Sequence, residues 1–459
     1  MGNSKKILIV FGVLYALLYL GFYPQFYYMP DEQIYLRSAY LLQAGDVTID
    51  DVEYNYGFTF KNGQFVPLYP LGQALWLMPF MQFGWEAVFL SGLAAVLLGF
   101  FVFYKIMGRL NLPRIYSLLF LLYPTFTFLG KTINSDMLSV LLVLTAFYFY
   151  LGRGRFDWAI AGIVFGLAAF VRLPSGILFA AFLLVSLCNN RTRAKYIFMG
   201  FVPLAVIILL HNTAIYGGPF ETAYSAASYF RFDIIQTPLT ILGFAAILSL
   251  LYPFMFISQF LYRGRAWREI ILSGALLLGF FGFYFNNPIQ FRAETLLMGA
   301  RYVLVLVPLL LVAYACMINN AVGKIREKTK IAQPLIAASA AIIVFVLLIG
   351  TVFVHAQYNE RINNKRAVFD EIYENTEEGS LIITETPGIP LRAGEIQSPF
   401  AGMFFCECFG DRKSVPVDVE GGVERYVKDA GADNTYYARL WFEGRGMKVL
   451  VTKWVDRPR

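Results

Sequence analysis

Long apolar runs separated by short polar stretches recur along this chain from Ile7 to His355, and no other feature restricts its folding as severely. A bilayer hydrocarbon core about 30 Å thick takes roughly 20 helical apolar residues to cross, and on that ruler the chain offers about eleven spans. They fall near 7–23, 86–106, 115–131, 136–151, 158–171, 175–188, 195–212, 239–261, 269–286, 301–319 and 334–355. Hydrophobic residues make up 58% of the chain and charged ones 15%, with a mean hydropathy of +0.57. A soluble domain carries charge on about a quarter of its residues, so an ordinary soluble fold is excluded. The first run lacks an A-x-A-like cleavage site and is followed by many similar runs, so it reads as a retained anchor. The expected fold class is a polytopic α-helical membrane protein.

Lysine and arginine placement sets the expected orientation. With the N-terminus in the cytoplasm, the inside loops hold seventeen of them, among them Lys5, Arg109, Arg155, Arg193, Arg265 and Lys324; seven, among them Arg37, Lys131, Arg172 and Arg301, lie outside up to the tenth span. The net charge of +7 is therefore mostly topological and carries no nucleic-acid inference. An odd number of spans places the tail, 356–459, outside the cytoplasm with the long loops 24–85 and 216–238. Residues 1–355 then form a transmembrane domain in the cell membrane, and 356–459 a separate extracytoplasmic one.

In the first loop, Asp31, Ile34, Tyr35, Ser38, Leu41, Leu42 and Gly45 recur at helical spacing behind Pro30, which suits a first helical position. This reads as an amphipathic helix lying along the membrane surface. Asn62-Gly63 in "FTFKNGQFV" reads as a hairpin turn, and "PLYPLGQALWLMPFM" begins a helix too short to span. The tail alternates helix and strand in "RAVFDEIYENTEEGSLIITET" and again from "GGVERYVKDAG" to "KVLVTKW", which predicts a small α/β unit. Cys406 and Cys408 in "FCECF" are either a strained disulfide or two free thiols. Two distant histidines, His211 and His355, supply no zinc site.

Ionisable groups are nearly absent from the middles of the spans and gather at their outer ends. Charge at a membrane edge is costly and marks a functional site by default. In chain order these are Asp31 and Glu32, Lys131 and Asp136 around "GKTINSDM", Arg172 in "VRLPSG", Glu221, Arg231 and Asp233 in the 216–238 loop, and Arg301 in "GARY". Taken singly, each has a bland reading. Acids in a first helical turn complement the macrodipole, Asn134 could cap the helix that begins beside Asp136, and an arginine can snorkel to the interface. Taken together, carboxylates and arginines converge on one face of the membrane. Asp31 shares the helix face of Ile34, Ser38 and Leu42 and should point into the membrane domain. Glu32, about 100° further round, cannot point the same way, so the two are not a glycosidase-like carboxylate pair.

A carboxylate there can take the proton of an attacking hydroxyl, and arginines can hold and stabilise a departing phosphate. Nucleotide-activated donors are absent outside the cytoplasm, so a lipid phosphate is the natural activated group. The joint reading is group transfer from a polyprenyl-phosphate donor to an extracytoplasmic protein, lipid or glycan.

With these residues in view, the sequence resembles the GT-C superfamily of membrane glycosyltransferases, in particular the branch of protein O-mannosyltransferases and lipid A aminoarabinose transferase. The resemblance rests on "PDEQIY", "NGQFVPLYPLGQALWLMP", "INSDM", "RLPSG", "YGGPFETAY" and "GARYVLVLVP", in that order over roughly residues 1–320. It implies a catalytic base at Asp31 and a second outer acid at Asp136. It further implies that Arg172 and Arg301 face the lipid phosphate, that Glu32, Lys131, Tyr224 and Tyr302 contribute to substrate binding, and that transfer is direct and inverting. No cofactor is required in the protein-mannosyl branch, but some GT-C enzymes bind a divalent metal, and the D-E in place of D-x-D leaves room for Mg or Mn. Two other classes stay open. A secondary transporter would favour midplane polar residues and broken helices in matching halves, and a lipid-linked glycan polymerase or ligase would use lipid diphosphate donors.

Overall fold

The computed structural model describes residues 2–24, 26, 30–48, 57–223, 235–284, 299–328, 332–375, 381–385, 413–416, 435–443 and 446–453. Helix occupies each of the eleven intervals marked by the hydropathy pattern. In order these are α1 (Gly2–Gly21), α2 (Pro30–Ala44), α3 (Gly72–Met81), α4 (Leu90–Arg109), α5 (Leu118–Leu121), α6 (Pro124–Leu129), α7 (Ser135–Tyr150), α8 (Arg155–Val171), α9 (Ser175–Asn189), α10 (Arg191–Tyr216), α11 (Gln236–Leu251), α12 (Met255–Leu261), α13 (Trp267–Tyr284), α14 (Val307–Lys328) and α15 (Ala332–Glu374). Among the described residues, four helical stretches are long and apolar enough to cross a bilayer: Glu86–Arg109, Arg191–Tyr216, Ala300–Ile325 and Ala341–Asn364. The α11–α12 pair makes a fifth if its 98° bend, with Phe254 in the left-handed region, lies within one span. The interval 115–131 is helical only in pieces, because Pro124 cannot donate to a continuous helix and instead starts α6.

Packing between the helices depends on small residues, as expected where lipid removes the hydrophobic drive for helix association. A Cβ at Gly162 on α8 would sit 2.0 Å from the Ile197 carbonyl on α10, and one at Gly200 would sit 2.0 Å from the Ala159 carbonyl, so the two backbones touch reciprocally. The buried face of α7 supplies Val140, Val143, Leu144 and Phe147 to the core. At the far end of α7 the Tyr150 hydroxyl bonds to Glu269 and Ser186, and Arg265 donates to the Leu151 carbonyl at 2.6 Å.

The first loop follows its expected outline with one correction. Strands β1 (Phe58–Lys61) and β2 (Gln64–Pro67) pair antiparallel around Asn62 and Gly63, both at positive φ, which is a type I′ turn. Helix α2 does start at Pro30, but it is no half-wet surface helix. Glu32, Gln33, Ile34, Tyr35, Leu36, Ser38 and Ala39 are all buried, because α3 and the segment 130–136 pack around it.

Helix α15 runs 43 residues, about 64 Å at 1.5 Å per residue, from the last apolar stretch toward the C-terminal strands. Those strands are β3 (Leu381–Glu385), β4 (Lys413–Pro416), β5 (Thr435–Glu443) and β6 (Gly446–Lys453). They form a mixed sheet in the order β4-β3-β5-β6, with β3 parallel to β4 and β5 and only β5–β6 antiparallel. The helix expected over 421–431 and the pair Cys406 and Cys408 lie outside the described residues.

Candidate active site

Four stretches distant in sequence meet at one end of the bundle. The first turn of α2 brings Asp31, the start of α7 brings Asp136, the end of α8 brings Arg172, and a 3₁₀ turn (Ala300–Leu306) leading into α14 brings Arg301. Arg172 leaves the helix in an extended conformation as its C-cap, just before Pro174, and its side chain reaches Asp136 and the Arg301 carbonyl. Gly72, at the head of α3, allows that junction to be tight, since a Cβ there would lie 2.8 Å from the Phe170 carbonyl.

The charges pair crosswise. Arg301 Nη2 donates to Asp31 Oδ2 at 2.6 Å, with about a fifth of each side chain exposed. Arg172 Nη1 donates to Asp136 Oδ1 in a second ion pair, in which Asp136 is 1% exposed. A bridge joins the pairs, because Arg172 Nη2 also donates to the Arg301 carbonyl at 3.2 Å. Tyr35, one turn beyond Asp31, shares a 2.9 Å hydrogen bond with Ser135 and stacks on Tyr69 at 4.9 Å. Burial pushes the Tyr35 phenol above its ordinary range, which keeps it neutral.

These groups line a cavity of about 680 Å³, within the span of small-molecule sites. Asp31, Arg172, Arg301, Tyr35 and Ser135 make one wall polar, and Phe280, Phe281, Ile177 and Val171 make another apolar, with Tyr302 between them. No group of three or more metal-ligating side chains occurs among the described residues. Asp31 and Asp136 each face a guanidinium, so the local charge is already balanced.

Of the expected substrate contacts, Arg172, Arg301 and Tyr302 reach the cavity with Asp31, whereas Asp136 stands behind Arg172 rather than on the wall. Glu32 and Lys131 turn elsewhere. Glu32 is fully buried and accepts the Ile133 backbone N–H at 3.0 Å, as the 100° offset from Asp31 requires. Lys131 is fully buried and donates to the Phe22 carbonyl, away from the cavity. Asn134 occupies the N-cap position of α7 without a side-chain capping bond. Glu221 pairs instead with Lys61 of the hairpin at 3.2 Å. Tyr224, Arg231 and Asp233 lie outside the described residues. Sequence reasoning did not single out Tyr69, Ser135 or the Phe280–Phe281 wall. Tyr69 sits in the "YP" of the quoted first-loop segment and Ser135 precedes the second acid, but nothing in the sequence marks Phe280 and Phe281 among so many span phenylalanines.

No protein-family model matches the sequence, and a comparison with curated proteins finds no match either. Solved structures do match. ArnT from Cupriavidus metallidurans bound to undecaprenyl phosphate superposes over 100% of both chains with a TM-score of 0.58 at 11% identity. The chain shares the fold of ArnT. ArnT in the apo state matches over 98% of both chains (TM-score 0.59, 9% identity). The Archaeoglobus fulgidus oligosaccharyltransferase, tethered with an acceptor peptide containing the NVT sequon, matches 94% of this chain and 69% of its own (TM-score 0.52, 10% identity). The match to ArnT covers this chain past residue 320, beyond the reach of the sequence resemblance.

Proposed function

We propose that the chain is a membrane glycosyltransferase that moves a sugar from a polyprenyl-phosphate donor to an extracytoplasmic acceptor, with Asp31 as general base and inversion at the anomeric carbon. The observation that carries this reading is a cavity whose polar wall holds one accessible carboxylate beside two guanidinium groups and whose opposite wall is apolar. The ArnT structure holding undecaprenyl phosphate supports a donor of that class through the shared fold. In the proposed topology the N-terminus is cytoplasmic, and both the cavity and the C-terminal sheet face the outside of the cell membrane.

Donor phosphate entering beside Arg301 competes with Asp31 for the guanidinium and so frees the carboxylate that the acceptor needs. The acceptor hydroxyl oxygen then attacks the anomeric carbon on the face opposite the phosphate, and its proton passes to Asp31. As the anomeric C–O bond breaks, its electron pair goes to the phosphate oxygen, which gains negative charge between Arg172 and Arg301. Asp136 keeps Arg172 extended toward that point. Phe280 and Phe281 suit the first isoprene units, and the stacked Tyr35–Tyr69 pair borders the space left for the sugar. Arg172 and Arg301 supply the positive charge that meets the phosphate.

The test uses the full-length protein in lipid nanodiscs with a panel of radiolabelled polyprenyl-phosphate hexoses and pentoses. Transfer by the wild type is expected to fall by about 10² to 10⁴ in Asp31→Asn, with undecaprenyl phosphate binding retained. Equal transfer by both proteins refutes the role of Asp31. Sugar moved across vesicles without transfer favours a transporter.

A further inference from the structure

Five residues, Gly130 to Asn134, connect α6 to α7 and lead directly into Ser135 and Asp136 of the candidate site. Four other helices hold this strap. The Tyr19 hydroxyl of α1 points between the Phe89 carbonyl at 2.6 Å and the Gly130 carbonyl at 3.2 Å, and Lys131 reaches back to the Phe22 carbonyl just beyond the end of α1. Glu32 of α2 accepts the Ile133 N–H at 3.0 Å, and Gln73 of α3 donates to the Ile133 carbonyl at 2.7 Å. From α15, Tyr358 donates to the Lys131 carbonyl at 3.2 Å.

Lys131 is the unusual member, being fully buried with three rings around its ammonium nitrogen: Tyr358 at 5.2 Å, Tyr19 at 5.7 Å and Phe22 at 5.9 Å. Beneath this cage lies the buried His355 ring of α15, parallel to Phe22 at 6.0 Å and edge-on to Tyr15 and Tyr19, with no hydrogen-bond partner for either nitrogen. Burying a lysine among rings and one carbonyl is expensive, and the mechanism above gives this one no chemical duty. Its contacts have a mechanical consequence, however. They join the last helix to the strap whose other side is bonded to α2 next to Asp31. Among the described residues, neither α1 nor α15 lines the cavity; α15 also packs on α6 and α14, and its hydrogen bond toward the two acids runs through this strap.

We infer that Lys131 and Tyr358 are positioning residues: they lock α15 to the strap 130–134 and thereby set Asp31 and Asp136 in their relative places. The inference rests on the glycosyl-transfer reading only for its kinetic consequence. The geometric link stands apart from it. Since α15 continues out of the last apolar stretch to the C-terminal strands, the same contact makes the placement of the two acids sensitive to how that helix is held.

The discriminating variant is Tyr358→Phe, which keeps the ring beside Lys131 and removes only the hydroxyl, so that folding is preserved. Lys131→Met, of similar length, is the second. For Tyr358→Phe, kcat for transfer is expected to fall about fivefold, the scale of one lost hydrogen bond, with KM for the lipid donor unchanged. In an Asp31→Asn background the same substitution is expected to produce no further fall, because it acts through that carboxylate. Hydrogen exchange measured on the purified variant should accelerate in peptides covering 130–136, 31–36 and the α15 segment around 358, with the melting temperature lowered by no more than about 3 °C. Lys131→Met should repeat this exchange pattern.

Unaltered exchange in the strap, or a uniform loss of kcat, affinity and thermal stability together, overturns the inference. Should the wild type transfer no sugar at all, the functional reading fails while the exchange measurement still decides whether the strap is locked by α15.

Discussion

Arg172 and Asp136 offer the most direct physical test of the site. The carboxylate is 1% exposed and the guanidinium side chain 13%, so neither charge is adequately solvated without the other. Replacing Arg172 by Met leaves a buried, uncompensated carboxylate, which costs about 3–5 kcal/mol in comparable settings. It also removes the donor to the Arg301 carbonyl, loosening the turn that presents Arg301 to Asp31. At about 2 °C per kcal/mol for a sizeable domain, the melting temperature of Arg172→Met should drop by about 6–10 °C. Adding Asp136→Asn removes the orphaned charge, so the double variant is expected to recover at least half of the loss, a coupling of roughly 2–3 kcal/mol. Thermal unfolding of the four proteins in one detergent, followed by tryptophan fluorescence at a fixed scan rate, measures the cycle. Additive losses would refute the argument, since they would mean that each charge is solvated independently and that Arg172 is free to serve the phosphate without its carboxylate.

Three further outcomes are expected. Transfer should be insensitive to EDTA, because a guanidinium already balances each of Asp31 and Asp136; a loss restored by Mg or Mn would reverse that conclusion. Gly92→Ala would place a methyl 2.0 Å from the Gly130 carbonyl, and because both partners are backbone the strap must move. This should cost about 1–3 kcal/mol of stability and also lower transfer, measured by thermal unfolding and radiolabel incorporation on the same sample. Topology is readable from single cysteines on a background lacking the native ones: Asn62→Cys should react with a membrane-impermeant maleimide in intact cells and Arg153→Cys only after lysis, and the opposite pattern would invert the assigned orientation.

Much of the architecture was already legible in one dimension, because the bilayer reduces folding to a ruler. A helix must be long and apolar enough to satisfy its backbone internally, and each interval that hydropathy marked does hold helix, while α2 and α3 were legible from spacing and Pro30 instead. Local chemistry was equally direct at Asn62-Gly63, where only a turn with two residues at positive φ accommodates the pair, and at Pro30, which begins α2. The crowding of carboxylates and arginines at one set of span ends singled out Asp31, Arg172 and Arg301, which the structure brings to one cavity, because unpaired charge is too expensive to be scattered there. Sequence spacing even separated Asp31 from Glu32.

What the sequence could not assign was the partner of each charge. That Arg301 meets Asp31 across 270 residues, that Asp136 stands behind Arg172, and that Lys131 is turned from the cavity into a cage of rings all depend on how helices pack. Packing is set by small residues such as Gly72, Gly92 and Gly162, whose effect lies in what approaches them rather than in what they are. The apolar wall of the cavity was hidden for a related reason. In a chain with 44 phenylalanines, lipid-facing and substrate-facing rings read alike, and only the tertiary arrangement gives Phe280 and Phe281 a cavity to line.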